Sequence, residues 1–198
     1  RTWDTTTGPG SSEENSLRRE LHVSLAIDQT ALIVIDPWAT HPNEGWSKRL
    51  NASLPKLRQV IQLFRDSKRP IFYDSTGLPI HPMILEGAGP LDHFIEWDQL
   101  GGGTSILNKL LIRRGITTIF WAGYATNICL MSKPCGFRNI MPKDWDRLHF
   151  LVRDATIGME SGDTLAEERL WDAACYEVEY YPNGYTCTVS AIADSFHQ

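Results

Sequence analysis

Ala31-Leu32-Ile33-Val34-Ile35 is a short, unbroken apolar run, rich in β-branched residues, that stops abruptly at Asp36-Pro37. A strand with one face in water alternates polar and apolar side chains, whereas a strand covered on both faces has no polar position to offer. This run therefore predicts a core strand of a parallel sheet. The same pattern returns along the chain. Ile71-Phe72-Tyr73 ends at Asp74, His93 to Trp97 reads as a third strand, and Ile116 to Ala122 is the clearest strand of all. Phe150-Leu151-Val152 leads toward Asp154, and Val178 to Tyr181 reads as a sixth strand.

Helical patterns separate these runs. Leu50, Leu54, Leu57, Ile61 and Phe64 recur at steps of four and three, which predicts an amphipathic helix with Pro55 in its first turn. Thr104 opens a helix carrying Ile106, Leu107, Leu110 and Leu111, closed by Arg113-Arg114-Gly115. A further helix starts near Asn127, and another spans Thr164 to Ala174. Strands that alternate with helices imply right-handed crossovers, and hence an α/β fold with a mostly parallel six-stranded sheet covered on both faces.

The 198 residues suffice for one domain-sized core. Residues 1–16, dominated by Thr, Gly, Ser and Glu around Pro9 and Trp3, read as a polar tail, and residues 17–198 as a single domain. A net charge of −5 repels phosphate backbones, so no nucleic-acid partner is expected. No apolar run approaches the roughly 20 residues that span a bilayer, so no membrane partner is expected either. The chain starts at Arg1 and shows no hydrophobic signal segment, leaving a cytoplasmic protein and an exported mature protein both open.

In open sheets of this kind ligands bind beyond the carboxyl ends of the strands. Those ends carry Asp36, Asp74, the Gly123 to Cys129 loop and Asp154, the last read as a structural turn residue. The loop is the most informative stretch. If Thr126 or Asn127 caps the helix that follows, Cys129 falls in its first turn, where free amides and the helix dipole favour thiolate. Amides of the same turn would face a developing oxyanion. Asp36 would sit beside the loop if the first and fourth strands are neighbours, and could move the thiol's proton.

Ala31 to Asp36, Gly123 to Cys129 and Arg153-Asp154-Ala155 together resemble the isochorismatase-like cysteine hydrolase family, over roughly residues 25–195. The most specific part is the Gly-x-Ala-Thr-x-x-Cys loop. The resemblance implies a three-layer, Rossmann-like domain assembled into dimers or larger homo-oligomers such as tetramers. It implies hydrolysis of a small-molecule substrate, an amide or a vinyl ether. Carried over by residue, Asp36 is the catalytic aspartate and Cys129 the nucleophile. The amides of Ala125 and Cys129 form the oxyanion hole, with a cis peptide between Tyr124 and Ala125.

One family residue has no counterpart. The catalytic lysine expected after the third strand is replaced by Glu96 or Trp97, and Lys109, the nearest lysine, should face solvent. Without a cation, Asp36 and Cys129 would repel as two anions. Lys133 lies four residues after Cys129 on the same helix face, but Pro134 follows it and can change the register there, so the sequence leaves the substitution unassigned.

Trp38, Glu96, Trp97 and Tyr124 are placed in the substrate pocket, with Trp46 a further aromatic nearby. Some related amidases hold a metal after the second strand. Asp74 and His81 match that set only in part, because Thr76 stands where a histidine would be, so neither a metal nor a cofactor is expected. Cys129, Cys135, Cys175 and Cys187 lack zinc-ligand spacing, and the last two flank the sixth strand, where an oxidising compartment would let them pair. The reading is a cysteine-dependent hydrolase of a small amide or related C–N substrate. Its alternatives are a non-catalytic binding member of the family and a vinyl ether hydrolase.

Overall fold

All six residues of Thr30–Ile35 are buried, as the unbroken apolar run requires, and this strand lies inside the sheet. The protein is seen in a computed structural model that describes residues 2–3, 16–95, 102–143 and 146–196. Six strands form one sheet: β1 (Thr30–Ile35), β2 (Ile71–Asp74), β3 (Asp92–Phe94), β4 (Thr118–Tyr124), β5 (Leu148–Ile157) and β6 (Gly184–Cys187). Their spatial order is β3-β2-β1-β4-β5-β6, and every pairing is parallel. The order reverses between β1 and β4, which makes their carboxyl ends the topological switch point.

Helices cover both faces. They are α1 (Glu44–Asp66), α2 (Pro82–Leu85), α3 (Gly102–Arg113), α4 (Phe137–Ile140), α5 (Arg169–Tyr180) and α6 (Val189–Phe196). Alternate residues of β1 point to opposite layers. Leu32 and Val34 pack with Leu50, Leu57 and Phe64 of α1 and Val189 and Ile192 of α6. Ala31, Ile33 and Ile35 pack with Leu107 and Leu111 of α3, Phe137 of α4 and Val178 of α5. Burying each such aliphatic side chain contributes about 2 kcal/mol, and two continuous cores on one sheet explain how a chain this size holds a three-layer domain.

The five apolar positions read as the inner face of the first helix are buried, joined by Trp46 and Val60. Its start lies further upstream than expected. Asn43 caps α1 by accepting a hydrogen bond from the Trp46 amide (3.1 Å), so Pro55 stands in the helix interior and not in the first turn. It is tolerated on the exposed side, where the carbonyl it leaves without an amide faces water.

Three other expectations are corrected. Val178 to Tyr181 is not a strand: Val178 to Tyr180 form the last turn of α5, and β6 is Gly184–Cys187. Ala174, Cys175 and Val178 are buried at helical spacing, and the β-branched and aromatic residues at the helix end imitate a strand pattern. The helix expected from Thr164 begins at Arg169, after a 3₁₀ turn at Leu165–Glu167, because Glu160 accepts hydrogen bonds from the Leu170 and Trp171 amides (3.1 and 2.8 Å). The third strand is Asp92–Phe94, and Glu96 and Trp97 lie outside the described residues. Within the expected N-terminal tail, Thr2–Trp3 pairs with Ser16–Leu17 as a short antiparallel ribbon.

Asp154 keeps a structural role. It accepts a hydrogen bond from the Val189 amide (2.8 Å) at the start of α6 and faces Lys56 (3.5 Å). All four cysteines are free thiols, Cys175 and Cys187 included. Among the described residues no helix is long and apolar enough to cross a membrane.

Candidate active site

β1 and β4 run side by side with Ile35 opposite Gly123. Gly123 has φ +117, and a Cβ there would lie 2.0 Å from the Ile35 carbonyl oxygen, so only glycine lets the two strand ends approach this closely. Both chains then turn through the left-handed region without a glycine: Asp36 has φ 50, and Ala125 has φ 53 and ψ 50. Each such residue costs about 1 kcal/mol or more, and two of them at neighbouring strand ends mark a corner held in shape by its surroundings.

The peptide before Ala125 is trans, as are all described peptide bonds, which corrects the cis expectation; the sharp corner comes from the left-handed Ala125 alone. Nor does Thr126 or Asn127 cap an α-helix. Thr126–Leu130 is a single π-helical turn. The Thr126 hydroxyl donates to the Ile157 carbonyl (2.9 Å), and the Asn127 amide clamps Met159, accepting from its N–H (2.7 Å) and donating to its carbonyl (3.2 Å). These bonds tie the cysteine loop to the end of β5 and leave Cys129 half-buried.

A cation reaches Asp36 from the same segment. Pro134 disfavours helical continuation at the residue before it, so the chain leaves the helix at Lys133. The Lys133 carbonyl is held by the Gly136 amide (2.6 Å) and the Asn139 side chain (2.8 Å). Its ammonium then reaches back to form an ion pair with Asp36 Oδ1 and lies 3.5 Å from Asp74 Oδ1. The Lys133 side chain is 11% exposed and the two carboxylates 0% and 1%, so these charges meet largely out of water. Asp74 lies at the same level as the site because β2 pairs with β1 in register, the Asp36 amide donating to the Asp74 carbonyl (2.9 Å).

Asp36 Oδ1 also accepts from the Thr76 amide (3.3 Å), while Oδ2 is buried with no hydrogen-bond partner. The Asp36 carboxyl and the Cys129 thiol each shift the other's titration. Burial raises the Asp36 pKa above the ordinary value of 3.8, and Lys133 opposes that rise. Burial, then the Asp36 charge, push the Cys129 thiol up to about 12, with Lys133 again pulling the other way. The helix-start argument predicted thiolate at rest. With burial and Asp36 both raising the thiol and a π turn in place of an α-helix, Cys129 rests as a thiol, not a thiolate.

The residues placed in the pocket separate. Trp38 is 8% exposed, its ring centroid 5.7 Å from His41 and 6.4 Å from Trp46, and its indole N–H has no partner. Tyr124 is 1% exposed and donates to the Leu50 carbonyl (3.2 Å), so it belongs to the core under α1 and not to a pocket wall. Glu96 and Trp97 are outside the described residues. His81 is occupied at the start of α2, where Nδ1 accepts from the Met83 amide (3.2 Å). Among the described residues no three His, Cys, Asp or Glu side chains form a cluster able to hold a metal ion. A groove of about 340 Å³ between α1 and α2, lined by Arg58, Gln62 and Met83, includes none of the residues around Cys129.

No family model and no curated protein matches this sequence. Solved structures do match in shape. A cysteine hydrolase from Pseudomonas syringae pv. phaseolicola superposes with a TM-score of 0.69 at 13% identity, covering 91% of this chain and 98% of that one. An isochorismatase family protein from Burkholderia thailandensis gives 0.59 at 20% identity, over 88% of this chain and 98% of that one. A nicotinamidase from Staphylococcus aureus gives 0.63 at 15% identity, over 80% and 98%. The chain thus has the fold of the isochorismatase-like cysteine hydrolases.

Proposed function

We propose that this protein is a cysteine hydrolase acting on a small amide or related C–N substrate. The observation that carries the reading is the buried ion pair of Lys133 with Asp36 at the switch point of the sheet, beside the loop that carries Cys129. A lysine comes to the aspartate as in the family that the sequence resembles, but from the segment after the nucleophile. The nicotinamidase among the structures of this shape is an amide hydrolase by name, which supports the reaction class.

In this reading Asp36 takes the proton of Cys129 as sulfur attacks the substrate carbonyl carbon. The Ala125 and Cys129 amides receive the oxyanion. The tetrahedral adduct expels the amine, which takes its proton from Asp36, and leaves a thioester. Asp36, again ionised, removes a proton from water as it attacks the thioester, and returns that proton to the departing thiolate. Lys133 opposes the rise that burial imposes on the Asp36 pKa. Trp38 stays in the proposal as a wall of the substrate site.

A panel of small amides, ureas and hydrazides, assayed for ammonia or amine release, tests the reading. Turnover by the wild type that is lost in Cys129→Ala supports it; a protein silent on the whole panel contradicts it. The raised Asp36 pKa also suits an acid that protonates carbon, as vinyl ether hydrolysis requires. Turnover of a vinyl ether that survives Cys129→Ser would favour that route.

A further inference from the structure

Lys133 reaches its position on a flexible four-carbon stem, and a single carboxylate is a weak anchor for such a stem. Its ammonium faces two. Asp74, at the end of β2, brings Oδ1 to 3.5 Å from Nζ, and the strand register sets it beside Asp36. Asp74 in turn interacts with the thiol of Cys135, which is fully buried two residues beyond Lys133. Gly103 at the start of α3 backs this group closely, since a Cβ there would stand 3.2 Å from Cys135 Sγ. The groups therefore run in a line, Cys129, Asp36, Lys133, Asp74 and Cys135, with the cation between two acid–thiol pairs.

We infer that Asp74 is a positioning residue: its carboxylate, steadied by the Cys135 thiol, holds the Lys133 ammonium on Asp36. This rests on the hydrolase reading for its kinetic consequence but not for its geometric one. Asp74 faces Lys133 directly, while its charge raises the Cys129 thiol less than burial or Asp36 does; its main action is through Lys133. Among the described residues, the charged and titratable groups facing Lys133 include Asp36 from β1, Asp74 from β2, and Cys129 and Cys135 from its own segment.

Crystal structures and kinetics of Asp74→Asn test the inference together. Asn keeps the shape and removes the charge. The expected result is that Lys133 loses its single rotamer and its contact with Asp36, while Asp74→Glu retains both. On any substrate that the panel yields, kcat should fall about 10- to 100-fold in Asp74→Asn with KM within about twofold. In a Lys133→Met background the same change should cost less than about twofold, because the residue acts mainly through the lysine. A Lys133 that stays on Asp36 in Asp74→Asn overturns the inference, and so does an equal loss of kcat in both backgrounds. If Asp74→Asn does not fold, Asp74→Ser is judged by the same rotamer. A wild type with no activity on the panel removes the hydrolase reading and leaves the structural comparison to decide this one.

Discussion

Ninety-seven residues separate Lys133 from Asp36, yet the lysine's ammonium rests on the aspartate's buried carboxylate. The contact joins the carboxyl end of β1 to the segment that follows the nucleophile. It places a cation on Asp36 although no lysine directly follows the third strand in the sequence.

Breaking a buried pair leaves an uncompensated charge, so Lys133→Met should destabilise the protein by about 3 kcal/mol near neutral pH. The sign of its pH dependence follows from Asp36. Its folded pKa is already raised above 3.8 and rises further without the cation. The folded variant then binds a proton that the unfolded chain has released, so its stability falls as pH rises from 3.8 through the new value. Denaturant unfolding over that range should show a deficit that shrinks on acidification. A constant deficit would mean that the pair is not electrostatic.

The same carboxylate should govern the acid limb of turnover. Only ionised Asp36 can accept the thiol's proton, so kcat/KM should drop as pH falls through a midpoint above 3.8, and Lys133→Arg, which keeps the charge, should leave that midpoint within about a unit. With Cys129 pushed up to about 12, no alkaline limb from the thiol should appear in the neutral or mildly basic range. A bell centred near neutrality would indicate a thiolate-based resting pair instead.

Gly123→Ala should be among the most damaging single substitutions in the sheet. Its Cβ would meet the Ile35 carbonyl oxygen at 2.0 Å, and its φ of +117 is foreign to L side chains. A loss above about 4 kcal/mol is expected, read as failure to accumulate folded protein or as a collapsed melting temperature. A stable, active Gly123→Ala would show that β1 and β4 do not approach as described.

The order of strands and helices was legible because burial on both faces erases polar positions, as in Ala31 to Ile35, and because α1 repeats its apolar residues at helical spacing. The neighbourhood of Asp36 and the Cys129 loop was expected on condition that the first and fourth strands pair, and β1 and β4 do. Misreadings arose where local pattern and tertiary context diverge. Val178 sits in a helix whose end imitates a strand, and Pro55 lies mid-helix because Asn43, well upstream, sets the cap. Tyr124 looked like a pocket wall until its hydroxyl was seen on Leu50. The left-handed Ala125 could not be read from an alanine. Lys133 was visible four residues after Cys129, with Pro134 as the signal, but only the fold shows that ending the helix there swings the lysine back to Asp36 and Asp74.

The most direct test compares the pH dependence of Cys129 alkylation by iodoacetamide, resolved by peptide mass spectrometry, in the wild type and in Asp36→Asn. Because the Asp36 charge holds the thiol's proton in place, its removal should speed labelling near neutral pH by about tenfold or more, one pKa unit, while amide turnover disappears. Labelling that is unchanged in Asp36→Asn, or turnover that persists without the carboxylate, would contradict the pairing of these two residues as nucleophile and base.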